Sequence, residues 1–193
     1  NAVKPGPNDI VVFYYTGHGF NKAQGDKMFP YIALTTKSFE SLDANSLSME
    51  DIFERIKNKG ARLNLVLSDC CNADPNAVNN NVGDIAVTRP SPIPWDINNC
   101  RTLFLNDKPV SILMTAASKG ELSAGTGSLG GIFTYFFRSS MVNYMGKFQQ
   151  TVSWQKVLFD AKNQTIVRAR NTDCKNPDGS VNKCNQHPVF VIR

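Results

Sequence analysis

Three short, mostly apolar runs constrain the fold of this chain most strongly. They occupy residues 9–15, 63–67 and 110–114, and each is followed by small or polar residues. The first run lacks polar alternation, which is typical of a strand buried on both faces, as in a parallel sheet that helices cover from both sides. We therefore predict a parallel sheet whose strand ends carry polar residues.

Helical patterns separate and follow these predicted strands. Ser48-Met-Glu-Asp51 has the spacing of a capping box, with Asp in place of the preferred Glu or Gln, and apolar residues then recur at helical spacing up to Gly60. Residues 130–145 and 152–168 have amphipathic helical patterns, and 188–192 has the pattern of a terminal strand. This alternation predicts a doubly wound, mostly parallel α/β sheet flanked by helices.

The length of 193 residues predicts a single domain over 1–193, because domains commonly have about 150 residues. Within it, the segment from Asn72 to Lys108 is long, irregular and rich in Asn and Pro, and we interpret it as a functional or processed loop. The first strand would be an exposed edge if nothing covered it. We therefore expect one or two strands with their helices N-terminal to Asn1, so that the domain as given lacks its N-terminal strands.

Composition and charge exclude several classes of protein. Hydrophobic residues make up 41% of the chain and charged residues 19%, as in a globular rather than a disordered protein. No apolar run approaches the roughly 18 residues that a membrane span needs. The net charge of +5 comes from basic residues scattered singly along the chain, which argues against a nucleic-acid partner.

One histidine and two cysteines follow the ends of the first two predicted strands. His18 lies between Gly17 and Gly19, and Cys70 and Cys71 end the second strand. The carboxyl ends of parallel strands meet at one edge of a sheet, so these residues are expected to converge there. An imidazole beside a thiol can take its proton and then protonate a leaving amine, which favours acyl transfer as the chemistry.

Two motifs, Tyr14-Tyr-Thr-Gly-His-Gly19 and Ser68-Asp-Cys-Cys71, resemble the His-Gly and Asp-x-Cys motifs of the caspase-like cysteine peptidases, the metacaspases in particular. The histidine and the second cysteine are about 50 residues apart, as in caspases. Thr115-Ala-Ala-Ser118 and Gly131-Ile-Phe-Thr-Tyr135 are similar to later segments of the family. The resemblance covers most of the chain and implies a caspase-like fold with cysteine endopeptidase activity.

The resemblance places the family's nucleophile on Cys71 and its general acid/base on His18. The backbone N–H groups of Gly19 and Cys71 are then expected to form the oxyanion hole, because a tetrahedral intermediate at the Cys71 sulfur has its oxygen near both. Cys70 is interpreted as a small buried hydrophobe, and a buried thiol is also the alternative for Cys71.

Asp69 is the residue on which substrate preference depends. Caspases have a neutral glutamine at this place in the motif, whereas a carboxylate attracts a basic side chain and repels an acidic one. In metacaspases the matching aspartate lines the first specificity (S1) pocket, so the resemblance implies cleavage after Arg or Lys. Ser118 matches the opposite wall of that pocket, and Glu121 is a candidate for further negative charge. Alternatively, Asp69 accepts hydrogen bonds from nearby backbone N–H groups.

The sequence departs from metacaspases directly after the predicted nucleophile. The family usually continues with His-Ser-Gly, whereas this chain has Asn72-Ala73-Asp74, which changes the loop beside the thiol. Autoprocessing is typical of the family, and the segment from Asn72 to Lys108 contains Arg89 and Arg101 as candidate cleavage sites. Arg89 precedes Pro90, which most peptidases tolerate poorly, so Arg101 is preferred.

The remaining cysteines leave the cellular compartment open. Cys174 and Cys184 flank a polar, turn-rich hairpin that a disulfide could close, but reduced surface thiols fit equally well. A zinc site that includes His187 is disfavoured, because a fourth ligand at a suitable spacing is missing. Cys100 is left over in either case.

The chemistry of a Cys-His pair requires no cofactor, and we predict no metal ligands. Calcium activation, which the resemblance to metacaspases suggests, stays open because no ordered ligand pattern is visible. The expected partners are a peptide or protein substrate and, as a further candidate, an N-terminal fragment of the same protein. The alternative to a peptidase is a catalytically silent caspase-like module that binds protein partners through the same cleft or its sheet edge.

Overall fold

The computed structural model describes residues 2–22, 25–35, 41–75, 81–82, 93–126, 130–175 and 178–193. In these ranges the strands are β1 (Ile10–Thr16), β2 (Gly19–Phe20), β3 (Tyr31–Ala33), β4 (Ser46–Ser48), β5 (Leu63–Asp69), β6 (Asn81–Val82), β7 (Val110–Thr115), β8 (Gly125–Thr126), β9 (Gly130–Gly131), β10 (Asp173–Lys175), β11 (Val181–Lys183) and β12 (Val189–Ile192). The helices are α1 (Met49–Lys57), α2 (Ile97–Phe104), α3 (Ile132–Met145) and α4 (Trp154–Arg170).

A four-stranded sheet forms the centre of the molecule, in the order β1, β5, β7, β12. β1 and β7 both pair with β5 in parallel, and β12 pairs with β7 in the antiparallel direction. α1 packs on one face of the sheet, and α2, α3 and α4 pack on the other. The predicted doubly wound, mostly parallel α/β sheet is confirmed.

β5 is buried on both faces, as its mostly apolar sequence predicts, and the one polar residue inside the apolar run, Asn64, is buried as well. Leu63, Leu65 and Leu67 pack in the core with α2, α3 and α4, whereas Val66 and Cys70 pack in the core with α1. Successive side chains of a strand point to opposite faces of a sheet. A strand between two helical layers therefore needs apolar residues at nearly every position.

β1 contradicts the prediction that it is buried on both faces. It lies at the edge of the sheet, and Ile10, Val12 and Tyr14 are 41%, 59% and 47% exposed. Only the alternate residues, such as Phe13 and Tyr15, pack into the core with α1. The reason is its edge position, which leaves one of its faces without a full helical cover. The strands expected upstream of the chain stay a prediction.

The helices follow their sequence patterns closely. α1 begins where the Ser48 hydroxyl accepts a hydrogen bond from the Asp51 N–H, which confirms the predicted cap. α3 and α4 confirm the helices predicted over 130–145 and 152–168, and β12 confirms the terminal strand. Among the described residues, no helix is both long enough and apolar enough to cross a membrane.

The segment from Asn72 to Lys108 is not irregular throughout, in contrast to the prediction. It contains α2, which forms because the Asp96 carboxylate accepts hydrogen bonds from the Asn98 and Asn99 N–H groups at the start of the helix. It also contains β6, which pairs with β10. Short caps and strand pairs of this kind are difficult to see in a stretch dominated by Asn and Pro.

Arg101 lies within α2, where its carbonyl accepts a hydrogen bond from the Leu105 N–H at 2.7 Å. Proteolysis favours exposed, irregular loops over hydrogen-bonded helical backbone. The preference for Arg101 as a cleavage site is therefore not supported, and Arg89 lies outside the described residues. Processing of this segment stays a prediction.

Candidate active site

Three strand ends meet at one edge of the central sheet. Thr16 at the end of β1 pairs with Asp69 at the end of β5, and Ser68 pairs with Thr115 at the end of β7. The segments that contain the predicted histidine, the predicted nucleophile and the predicted pocket wall follow directly after these ends. The carboxyl edge of the sheet therefore carries all three segments, as expected from the topology.

Gly19 brings the histidine segment into contact with the cysteine segment. A Cβ atom at this position would lie 2.4 Å from the Cys70 Sγ and 2.7 Å from the Cys71 carbonyl oxygen, both too close for any side chain. A larger residue would force the two segments apart. Because His18 is the residue before Gly19, this contact holds the histidine backbone beside the predicted nucleophile.

The backbone of His18 is fixed, whereas its imidazole is exposed to solvent. Its carbonyl accepts hydrogen bonds from the Ala33 N–H at 2.9 Å and the Tyr15 hydroxyl at 2.8 Å. Gly19 faces Ile32 across β2 and β3, next to the bond from Ala33 to His18. Gly19 and Ile32 are thus a non-hydrogen-bonded pair of the antiparallel ladder, and the Gly19 N–H points away from β3.

The Cys71 thiol is half-buried and contacts the backbone of Ser123. The Ser123 N–H donates to the sulfur at 3.3 Å, and the thiol donates to the Ser123 carbonyl at 3.9 Å. Burial raises the pKa of Cys71, the charge of Asp69 raises it further, and the Ser123 N–H lowers it. The resting structure thus favours the neutral thiol at this position.

Cys70 differs from its neighbour in burial and in direction. Its side chain is 2% exposed and packs in the α1 core, and burial raises its pKa to about 12. A thiol with that pKa is almost never ionised at neutral pH and cannot reach a substrate without rearrangement of the core. The structure supports the interpretation of Cys70 as a small buried hydrophobe.

Asp69 is a buried carboxylate that is surrounded by hydrogen-bond donors. The Ser123 hydroxyl donates to Oδ1 at 2.7 Å, and the N–H and hydroxyl of Thr134 donate to Oδ2 at 2.9 Å and 2.6 Å. Burial raises the pKa of Asp69, and these bonds lower it. No cation contributes to its pKa within the described part of the chain.

The same carboxylate occupies the start of α3. A Cβ atom on Gly131 would lie 1.8 Å from Asp69 Oδ2, so only glycine allows the helix to begin against this side chain. Negative charge at a helix N-terminus is favourable. The alternative interpretation, in which Asp69 accepts a backbone N–H, is thus seen at Thr134.

Ser118 and Glu121 are both engaged with the C-terminal segment. The Ser118 hydroxyl donates to the His187 carbonyl at 2.8 Å. The Glu121 carboxylate contacts His187 Nδ1 at 2.7 Å and accepts hydrogen bonds from the N–H groups of His187 and Ser118. The Glu121 carboxylate therefore already contacts a histidine of the chain that can carry positive charge. This contact weakens the expectation that Glu121 adds negative charge to the S1 pocket.

Asn72 gives the loop after Cys71 a defined shape without the usual His-Ser-Gly. It is fully buried, and its Nδ2 donates to the carbonyls of Met28 and Ala117, both at 3.0 Å. Its Oδ1 accepts a hydrogen bond from Asn21 Nδ2 at 2.8 Å. A single amide thus connects three segments beside the predicted nucleophile.

Sequence reasoning missed the residues that complete this site. Ser123, Thr134 and Gln186 carry the hydrogen bonds around Asp69, yet none of them lies in a motif with an assigned role. Thr134 does fall in the segment that resembles the family, and that resemblance is the only signal that could have identified it. Gln186 is distant in sequence and had no signal.

Cys174 and Cys184 form a disulfide, which closes the hairpin of β10 and β11. The bond removes both thiols as zinc ligands, so the disfavoured zinc interpretation is wrong. In the described ranges no group of three or more metal-ligating side chains occurs. A cleft of about 290 Å³ lies between this hairpin and the segment from Gly120 to Ala124.

Comparisons with known proteins identify a family and a similar fold for this chain. A family model described as the caspase domain matches residues 1–191. The chain is similar to the crystal structure of caspase-1 from Spodoptera frugiperda, with a TM-score of 0.51 and 12% identity over 95% of this chain. The match spans 59% of that caspase-1 chain, and at this identity it shows the fold alone. A comparison with curated protein sequences finds no match.

Proposed function

The chain belongs to the caspase-domain family of cysteine peptidases, and on that premise we propose that it is a cysteine endopeptidase that cleaves after Arg or Lys. Cys71 is the proposed nucleophile and His18 the proposed general acid/base. The observation that carries this proposal is the close approach of Gly19 to the Cys70 side chain and the Cys71 carbonyl, which brings the two segments together at one edge of the sheet.

The proposed reaction uses the thiol and imidazole in turn. His18 takes the Cys71 proton as the sulfur attacks the scissile carbonyl carbon and forms a new C–S bond. The tetrahedral oxyanion accepts hydrogen bonds from the N–H groups of Gly19 and Cys71. His18 then gives its proton to the departing amine as the C–N bond breaks. Water hydrolyses the remaining thioester and restores the thiol.

Substrate preference is proposed to come from the buried charge of Asp69. Among the described residues this carboxylate has three hydrogen-bond donors and no cation beside it, so a substrate Arg or Lys would supply a positive charge there. An acidic side chain at the same place would be repelled. Ser118 remains the proposed opposite wall of the pocket, although its hydroxyl must leave the His187 carbonyl to contact a substrate.

A catalytically silent module that binds protein partners is the second candidate. The observation that favours it is the Cys71 thiol, whose pKa is raised by burial and whose proton faces the Ser123 carbonyl. If this arrangement also persists with a peptide bound, ionisation of the Cys71 thiol stays unfavourable and the cleft binds the peptide without cleaving it.

Fluorogenic peptides that end in Arg, Lys, Asp or Asn separate the two candidates. Under reducing conditions, with and without calcium, we expect the Arg and Lys peptides to be cleaved much faster than the Asn peptide, and the Asp peptide to be cleaved most slowly. Cys71→Ala is expected to lower kcat/KM by at least about 10³-fold. Cys70→Ala, a matched control, is expected to retain most of the activity. Failure of the full-length natural protein to cleave any of the four peptides would favour the silent module.

Self-cleavage is tested separately by intact mass. We expect wild-type protein to yield fragments and Cys71→Ala to stay whole on incubation. If the two proteins give the same mass spectrum, self-cleavage is excluded. The mass of each fragment identifies the cut and shows whether it falls between Asn72 and Lys108.

A further inference from the structure

Gln186 is a buried amide close to the predicted specificity residue. It is 1% exposed and lies between the disulfide residue Cys184 and β12. Its Oε1 accepts a hydrogen bond from the Ala124 N–H at 3.0 Å. A backbone N–H can only donate, so this bond fixes which end of the Gln186 amide is the acceptor.

The other end of the amide must therefore donate. Gln186 Nε2 lies 3.1 Å from the Ala116 carbonyl and 3.3 Å from the Ser123 hydroxyl. With an N–H pointed at its oxygen, Ser123 is left to donate its own proton. That proton points to Asp69 Oδ1, at 2.7 Å. Gln186 thus donates to Ser123, and Ser123 in turn donates to Asp69.

The other carboxylate oxygen of Asp69 also meets only donors. Thr134 donates to Oδ2 through its N–H and through its hydroxyl. The Tyr14 hydroxyl lies 2.8 Å from the Thr134 hydroxyl and can donate to it while Thr134 donates to Asp69. In this arrangement each direct partner donates to Asp69, and the Thr134 N–H can only donate, so the network favours the acceptor form of the carboxyl group.

We propose that Gln186 and Ser123 are positioning residues whose directed hydrogen bonds keep Asp69 ionised, so that its charge can attract a basic substrate side chain. The substrate part of this inference rests on the proposed function, whereas the ionisation part does not. Burial opposes the ionised state of a carboxyl group, so a network of fixed donors offsets that cost.

Few other groups compete for control of Asp69. The titratable groups that face it are the Cys70 and Cys71 thiols at the end of its own strand and, through Thr134, the Tyr14 hydroxyl of β1. The segment that carries Ser123 also carries Glu121, but the Glu121 carboxylate contacts His187. The donors around Asp69 are accordingly neutral.

The ionisation of Asp69 is measured by NMR titration of protein labelled with ¹³C at the Asp carboxyl carbons. Asp69→Asn assigns the signal. In Ser123→Ala and Gln186→Leu we expect the Asp69 midpoint to lie at a higher pH than in wild type. Ser123→Thr keeps the hydroxyl and is expected to restore the wild-type midpoint. Ser140→Ala, which removes a buried hydroxyl bonded to Gln164, is the control and is expected to leave it unchanged.

The activity arm follows the same variants with Arg and neutral peptides. We expect Ser123→Ala to lower kcat/KM for the Arg peptide about tenfold on the acid side of its profile, with little change for the neutral peptide. Identical midpoints in wild type, Ser123→Ala and folded Gln186→Leu would overturn the proposal. A wild-type chain that cleaves nothing contradicts the proposed function. The NMR midpoints still test whether Ser123 and Gln186 keep Asp69 ionised.

Discussion

The end of β5 and the end of β1 present the two proposed catalytic groups in opposite surroundings. At the end of β5, Ser123 contacts the Cys71 sulfur and the Asp69 carboxylate, and residues far apart in sequence surround both. At the end of β1, the His18 imidazole is exposed, and the strand that carries it is the edge of the sheet. One side of the site is enclosed by the fold, and the other is open.

This difference assigns separate tasks to the two strand ends. Close packing and directed hydrogen bonds fix the positions of the proposed nucleophile and the proposed specificity residue before any substrate binds. The exposed imidazole can change its side-chain direction, so it is free to compete with the Ser123 carbonyl for the Cys71 proton. Activation is therefore expected to depend on what happens at the open end, and specificity on the closed end.

The largest effect among the following variants is expected at the open end. His18→Ala removes the proposed base and should lower kcat/KM for Arg peptides by about 10³-fold. The matched control is His187→Ala, since the second histidine contacts Glu121 and not the nucleophile. Equal losses of kcat/KM in the two variants would show that His18 has no special role. The contrast between the open and the enclosed strand end would then have no functional meaning.

A smaller effect is expected at the closed end. Asp69→Asn keeps the shape of the side chain but removes its charge, and kcat/KM for Arg peptides should fall about 10²-fold. Cleavage of a peptide with a neutral side chain at that position should change much less. A uniform loss for both peptides would indicate that Asp69 only supports the start of α3.

Asp69 also makes stability depend on pH in a defined direction. Because burial raises its pKa in the folded state, the folded chain holds this proton at pH values where the unfolded chain has lost it. The free energy of unfolding should therefore fall as pH rises from the unfolded pKa through the folded one. Urea unfolding at a series of pH values should show a shallower fall for Asp69→Asn over that window.

The disulfide between Cys174 and Cys184 lies close in sequence to Gln186, which contacts Ser123 at the enclosed end of β5. Removing it with Cys174→Ser and Cys184→Ser should lower the free energy of unfolding by about 2–4 kcal/mol, because the unfolded chain gains freedom. Gln186 follows Cys184 closely, so selectivity for Arg peptides should also decline. Denaturant unfolding measures the stability effect, and peptide kinetics measures the selectivity effect. Unchanged selectivity would show that the hairpin does not influence Asp69.

The smallest effect is expected on the exposed face of β1. Val12→Ala should change the free energy of unfolding by at most about 0.5 kcal/mol, because Val12 is already 59% exposed. Leu65, its partner in register on β5, is buried, and Leu65→Ala should cost about 2–5 kcal/mol. A large loss for Val12→Ala would show that this face is covered in the protein in solution.

The same contrast explains how far the sequence could predict this molecule. The apolar run of β5 and the cap at Ser48 are local signals, and both are confirmed. The run in β1 has a similar composition, but its place at the sheet edge depends on which strands pair with it. Gln186 reaches Asp69 only through tertiary contacts, and no local pattern identifies such a residue.

Covalent labelling tests the central claim most directly. A peptidyl-arginine chloromethyl ketone should alkylate wild-type protein with loss of chloride, adding the mass of one inhibitor less HCl, and peptide mapping should place the adduct on Cys71. His18→Ala should label far more slowly, and the corresponding aspartyl reagent should not label. Modification of Cys70 or Cys100 instead, or equal rates with and without His18, would contradict the assignment of Cys71 and His18 as the reacting pair.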